Sequence, residues 1–96
     1  MHADSRKFSQ LKRGRGLDIG LAFGKALRQK RKEAGLTQEQ LAHEADVQRN
    51  YVSLIERGVN QPTITIIFKL ATALRCSPAD LVSDTEKLAH QSAPLA

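Results

Sequence analysis

The stretch Gly35-Leu36-Thr37-Gln38-Glu39-Gln40 stops one helix and starts the next almost at once. Gly35 accepts the left-handed backbone that closes a helix. Lys30, Arg31 and Lys32 stand in the turn before it, where the negative end of the helix dipole favours cations. Thr37 and Gln40 form a capping box: the Thr37 hydroxyl can accept from the Gln40 amide while the Gln40 side chain reaches back to the Thr37 amide. Similar punctuation recurs down the chain. Asp46-Val47 reads as a tight turn, because Asp tolerates a left-handed backbone better than most residues, though less well than Gly. Gly58 stops the segment after it. Pro62-Thr63 opens another helix with Thr63 as N-cap. Ser77-Pro78 opens a shorter last one, with Pro at the first helical position and Asp80 near the positive end.

These signals predict five short helices, over roughly 20–33, about 38–45, 48–57, from Thr63 and from Ser77. Nothing reads as a strand, so the fold class is all-α. Helices of this length are marginal alone and must pack together. Their apolar stripes are Phe23, Ala26 and Leu27; Leu41 and Ala42; Val52 and Ile55, joined by Val47; Ile64, Ile67, Leu70, Ala71 and Leu74; and Leu81 with Val82. With Phe8, Phe23, Tyr51 and Phe68 the only aromatic residues, the core is expected to be aliphatic. Residues 1–18 lack periodicity and read as a flexible basic arm carrying Lys12, Arg13 and Arg15. Residues 19–83 form the expected domain. Residues 84–96 are polar and small and read as a flexible tail.

The chain of 96 residues has a formal net charge of +5. Residues 1–34 hold ten Lys/Arg against three acids, a balance of +7, and the remainder holds five against seven, or −2. One end is therefore basic, which favours a polyanionic partner. The single cysteine, Cys76, excludes an intramolecular disulfide framework and suits a reducing compartment. The opening MHADSRK is polar, with no apolar stretch of signal-peptide or membrane-spanning length after it. A cytoplasmic location without membrane contact is expected. His43-Glu44 begins like a zinc-protease motif, but Val47 stands where the second His belongs. No metal, cofactor or catalytic constellation follows from the spacing, so an enzyme is not expected.

Residues 48–57, QRNYVSLIER, carry the most specific chemistry. On a helical wheel Val52 and Ile55 point one way. Asn50, Ser53, Leu54 and Arg57 point the other, with Gln48 and Arg49 at the leading end. Arg can give two parallel hydrogen bonds to guanine, Asn or Gln can pair both ways with adenine, and Leu can touch a thymine methyl. An isolated helix with these residues could equally be a solvated surface. Its context favours base reading: a short capped helix, a tight turn and a second short helix make a helix-turn-helix. The free amides at Thr37 and Gln38 suit a phosphate, and the loop Gly58-Val59-Asn60-Gln61 offers further donors.

Residues 21–83 resemble the lambda-repressor-like (phage repressor type) helix-turn-helix family. The elements that carry the resemblance are Gly35-Leu36-Thr37-Gln38, Leu41-Ala42, Tyr51-Val52-Ser53, Ile55-Glu56-Arg57-Gly58, and Pro62-Thr63 leading into Leu70-Ala71 and Leu74. The combination Arg49-x-Tyr51-Val52-Ser53-x-Ile55-Glu56-Arg57 is also similar to small controller proteins of restriction–modification systems. The resemblance implies five helices, no cofactor, and a homodimer on near-palindromic double-stranded DNA. A transcriptional regulator, a repressor or autoregulator, is expected from it, and RNA polymerase or a partner protein is a candidate further contact. Base contacts are expected from Gln48, Arg49, Asn50, Ser53 and Leu54. Phosphate contacts are expected from Thr37, Gln38, Tyr51, Arg57, Asn60 and Gln61. Glu56 would pair with Arg31, which sits on the buried stripe of the first helix where a half-buried guanidinium needs a carboxylate. A solvated Arg31 is the alternative.

Asp46 and Gln48 depart from the family, which often has Gly at the first position and Ser or Thr at the second. Gln is a poor N-cap, which leaves Gln48 free to reach DNA. Ile66 and Phe68 are not both explained by the stripe of the fourth helix. With Leu81 and Val82 they could form a self-complementary dimer patch, and plain core packing accounts for them equally well. The competing function class is an antitoxin-like or adaptor module that uses the same fold to bind protein.

Overall fold

The computed structural model describes residues 18–92 as five helices: α1 (Ile19–Glu33), α2 (Gln38–Ala45), α3 (Arg49–Glu56), α4 (Ile64–Leu74) and α5 (Pro78–Ser92). The expected arm residues Lys12, Arg13 and Arg15 lie outside the described residues. Asp18, placed at the end of that arm, caps α1: its carboxylate accepts from the Leu21 amide at 3.0 Å. Thr37 and Gln40 close both halves of the capping box, at 3.0 and 2.9 Å. Thr63 caps α4. Ser77 accepts from Ala79 at the start of α5, while Asp80 accepts from the Ser77 amide.

The first four helices end the same way. In each, an amide one or two residues past the cap bonds back to the carbonyl five residues earlier: Leu36 to Arg31, Val47 to Ala42, Val59 to Leu54 and Cys76 to Ala71, at 2.9 to 3.1 Å. This closure needs one residue in the left-handed region. Gly35 and Gly58 supply it without strain, at φ 74° and 77°. Asp46 and Arg75 adopt it with side chains, at φ 57° and 58°.

The core is built from Leu27, Leu41, Val52, Ile55, Leu70 and Leu81, all without solvent exposure. Burying each such side chain is worth roughly 1.5–3 kcal/mol. Phe23, Ala42, Ala45, Ala71 and Leu74 complete the cluster, and Leu36, Val47, Tyr51, Ile66, Ile67 and Cys76 pack on its margin. Burial raises the Cys76 thiol pKa, helped by Asp80 and Asp84 and opposed by Lys30, so the side chain acts as a small apolar filler.

Three expectations change. Ile64, assigned to the buried stripe of α4, is 67% exposed. It holds the first helical position, and side chains tilt toward the helix N-terminus, so it projects past the core. Leu81, assigned to a dimer patch, is wholly buried, while Val82 next to it, turned by about 100° on the helix, is 50% exposed. The helix expected to fray after Ser83 runs on to Ser92. Leu81, Thr85 and Ala89 repeat at i, i+4 and are all buried, which gives α5 a stripe to lay along α1. The Thr85 hydroxyl is satisfied by donating to the Leu81 carbonyl at 2.7 Å. On α1, Ala22, Ala26 and Lys30 form the facing row, since Lys30 meets Asp84 of α5 at 3.8 Å.

Candidate nucleic-acid interface

Two contacts set the position of α3. Its inward residues Val52 and Ile55 are fully buried. Its C-terminal end meets α1 at Gly24, where a Cβ would come within 2.5 Å of the Ile55 carbonyl oxygen and 2.6 Å of the Glu56 carbonyl oxygen. Only glycine lets the two backbones approach so closely. This residue was missed in reading the sequence. An isolated Gly inside a helical pattern was its one signal.

Glu56, the last residue of α3, is the centre of a polar knot. Arg31 donates to it twice, Nε to Oε2 at 2.7 Å and Nη2 to Oε1 at 3.0 Å. A third Arg31 bond goes to the Leu36 carbonyl at 2.9 Å. The pair implied by the resemblance is thus a bidentate bridge, and the solvated alternative for Arg31 does not hold. Gln38 adds Nε2 to Glu56 Oε1 at 3.0 Å, a contact with no separate sequence signal. Among the described residues no buried side-chain nitrogen or oxygen is left without a partner. The knot joins the end of α1, the start of α2 and the end of α3.

The outer residues of α3 are differently placed. Gln48, Arg49 and Asn50 are exposed, and Ser53 and Leu54 are half-buried. Gln48 occupies the N-cap position without a side-chain capping bond, so its amide is not used by the fold. An open hollow of about 380 Å³ between the start of α2 and the start of α3 is lined by Arg31, Thr37, Gln38, Glu39 and Arg49. It brings Thr37, Gln38 and Arg49 together. Thr37 accepts in its capping bond and keeps its own proton to donate. Gln38 likewise keeps one amide hydrogen beyond the one given to Glu56.

The other expected contact residues are more dispersed. Arg57 and Gln61 are exposed, and Tyr51 and Asn60 are half-buried. Tyr51 also lies on the margin of the core. The Gln61 side chain lies over Gly20 at the start of α1, close to where a Cβ would be. Its reach is therefore divided between the loop and α1. Ile66 is half-buried, and Phe68 and Val82 are 56% and 50% exposed on α4 and α5. Among the described residues no three His, Cys, Asp or Glu side chains gather as a metal site, and no helix is long and apolar enough to cross a membrane.

Two short helices joined through a left-handed residue, the second inserted by its apolar side and outward by its polar leading end, define the helix-turn-helix class. The chain belongs to that family: the family model described as Helix-turn-helix matches residues 27–81. Control protein C.BamHI of Bacillus amyloliquefaciens is 41% identical over 69 residues, 71% of this chain and 85% of that protein. The restriction-modification controller protein C.AhdI of Aeromonas hydrophila has a crystal structure that superposes with a TM-score of 0.64 at 42% identity, over 65% of this chain and 94% of that one. The controller protein C.Esp1396I, solved as a tetramer in complex with its natural 35 base-pair operator, gives a TM-score of 0.69 at 26% identity, over 75% and 95%. The resemblance read from Gly35 to Leu74 is thus met at the level of family, and controller proteins stand among the relatives.

Proposed function

We propose that this protein is a sequence-specific DNA-binding transcriptional regulator, a repressor or autoregulator acting as a homodimer on a near-palindromic operator. The observation that carries this reading is the placement of Gln48, Arg49 and Asn50. They are exposed, lead a helix whose other side is locked in the core, and are not needed by the fold. Lodged in the major groove, α3 would present Arg49, Asn50, Gln48, Ser53 and Leu54 to base edges. The hollow that Arg49 shares with Thr37 and Gln38 would then take a backbone phosphate. Arg57, Tyr51, Asn60 and Gln61 would hold the strand beside it, and Lys12, Arg13 and Arg15 would follow phosphates.

Ile64, Phe68 and Val82 supply the exposed part of the dimer face, while Ile66 packs on the margin of the core and Leu81 lies within it. A two-fold pair would set its recognition helices about 34–36 Å apart, one turn of DNA. A controller protein solved as a tetramer on its 35 base-pair operator supports binding of operator DNA by more than one copy, by likeness. The same reading assigns the chain no reaction of its own and a place in the cytoplasm.

Selection of bound fragments from random duplexes by the full chain tests the proposal. The expected result is one enriched sequence with two related half-sites a helical turn, or a multiple of it, apart. No enrichment, together with a stable heteromeric complex that buries Arg49 and Asn50, would replace this function by that of a protein-binding module.

A further inference from the structure

The solvent face of α1 carries a feature that neither the helix-turn-helix pair nor the dimer patch uses. Leu21, Lys25, Arg28 and Lys32 are all exposed. On a wheel of about 100° per residue they fall within about 60° of one another. Gly20, Phe23, Gly24, Leu27 and Arg31 turn away toward the core and α3, and Ala22, Ala26 and Lys30 turn toward α5. Lys25, Arg28 and Lys32 therefore make a row of three cations. Among the described residues the ion pairs are Lys30–Asp84 and Arg31–Glu56, so no carboxylate neutralises the row.

We infer that this row is a second, sequence-blind DNA contact that extends the footprint beyond the half-site held by α3. The inference rests on the DNA-binding reading above and deepens it. α1 runs between the two segments assigned to phosphates. At one end Leu21 lies against Gly58, beside Asn60 and Gln61. At the other Arg31 bonds the Leu36 carbonyl, beside Thr37 and Gln38. The row stands on the side of α1 turned away from α5 and its Val82, which leaves it uncovered by that helix.

The chemistry of the row selects the partner. From Lys25 to Lys32 the helix rises about 10 Å, a length over which duplex DNA presents about six negative charges. Three cations facing them bind by releasing counterions and need no shape match. An acidic protein surface would need an apolar or aromatic anchor as well. The row has none between its cations: Leu21, its one apolar member, is at the end and leans on Gly58.

The test compares the full-length chain with its Lys25→Gln/Arg28→Gln/Lys32→Gln variant on two duplexes, the selected operator alone and the operator extended by about ten base pairs, one helical turn, on each side. Wild type is expected to gain affinity on the longer duplex and the variant to lose that gain while keeping the same base preference. The slope of log affinity against log salt should fall by up to about 2.7 per protomer. A Lys25→Arg/Lys32→Arg variant should behave as wild type. Equal salt slopes and equal length dependence for wild type and the Gln variant would overturn the inference. They would leave an acidic protein as the partner of the row. If wild type selects no preferred sequence, the regulator reading fails, yet the same slope comparison on random duplex still decides whether the row binds DNA.

Discussion

Gln38, the first residue of α2, donates its side-chain amide to Glu56, the last residue of α3, at 3.0 Å. One side chain thus links the helix start assigned to a phosphate with the helix assigned to the bases. Arg31 grips the same carboxylate from α1. The helix start proposed to hold a phosphate and the helix proposed to read bases are thus tied to each other and to α1 through one carboxylate.

That frame separates two kinds of DNA variant. Arg49→Ala or Asn50→Ala should relax base preference at one position, at a cost of roughly 1–3 kcal/mol, with the thermal melt unchanged. Gln38→Ala should weaken all sequences alike and also lower the melting temperature, because a hydrogen bond to a charged group is lost. Binding to the operator and to single-base variants measures both. An Arg49→Ala protein with unaltered preference would end the base-reading role of that residue.

Arg31→Ala should be the most damaging change in the polar knot. It leaves the Glu56 carboxylate buried with only Gln38 for a partner. The expected loss is about 3–5 kcal/mol of stability, read by urea unfolding. A loss below 1 kcal/mol, roughly what an exposed pair contributes, would mean the bridge is solvated in solution.

Gly24→Ala should destabilise although alanine is the better helix former. The propensity gain is about 1 kcal/mol, but the new methyl would lie 2.5 Å from the Ile55 carbonyl oxygen. Backbone must shift, at a cost of roughly 1–3 kcal/mol. A raised melting temperature would show that α1 and α3 are less closely apposed than described.

Asp46→Gly and Arg75→Gly should each stabilise. Both residues are left-handed, a conformation that costs a residue with a side chain about 1–2 kcal/mol and glycine nothing in the folded state. The greater freedom of glycine when unfolded takes back part of that, leaving a gain below about 1 kcal/mol and a melt a few degrees higher. Lower melts for both variants would mean that these side chains contribute more than their backbone costs.

Phe68→Glu should split the proposed homodimer and leave the monomer folded. The side chain is 56% exposed on the fourth helix. Analytical ultracentrifugation with circular dichroism reads both outcomes. A dimer that survives the change uses a different face.

Much of the fold was legible because its signals are local. A capping box at Thr37, a glycine at 35, an Asp at 46 and a threonine at 63 each act within one turn of the backbone, so helix ends could be read within a residue. The polar leading end of α3 was legible for the same reason, since Val52 and Ile55 define its inward side by spacing alone. The extension of α5 to Ser92 was not. Its stripe of Leu81, Thr85 and Ala89 contains only one large apolar residue, and a threonine and an alanine look like a polar tail until α1 covers them.

The amino-acid sequence by itself determined where the helices begin, where the first four end and which residues carry their apolar stripes, because caps and periodicity act over a few residues. Only the tertiary structure decided what those sides meet. It set Leu81 inward and Val82 outward, brought Gly24 under the end of α3, and turned Gln38 onto Glu56. These contacts join residues far apart in the chain, and their energies exist only once the intervening helices have packed.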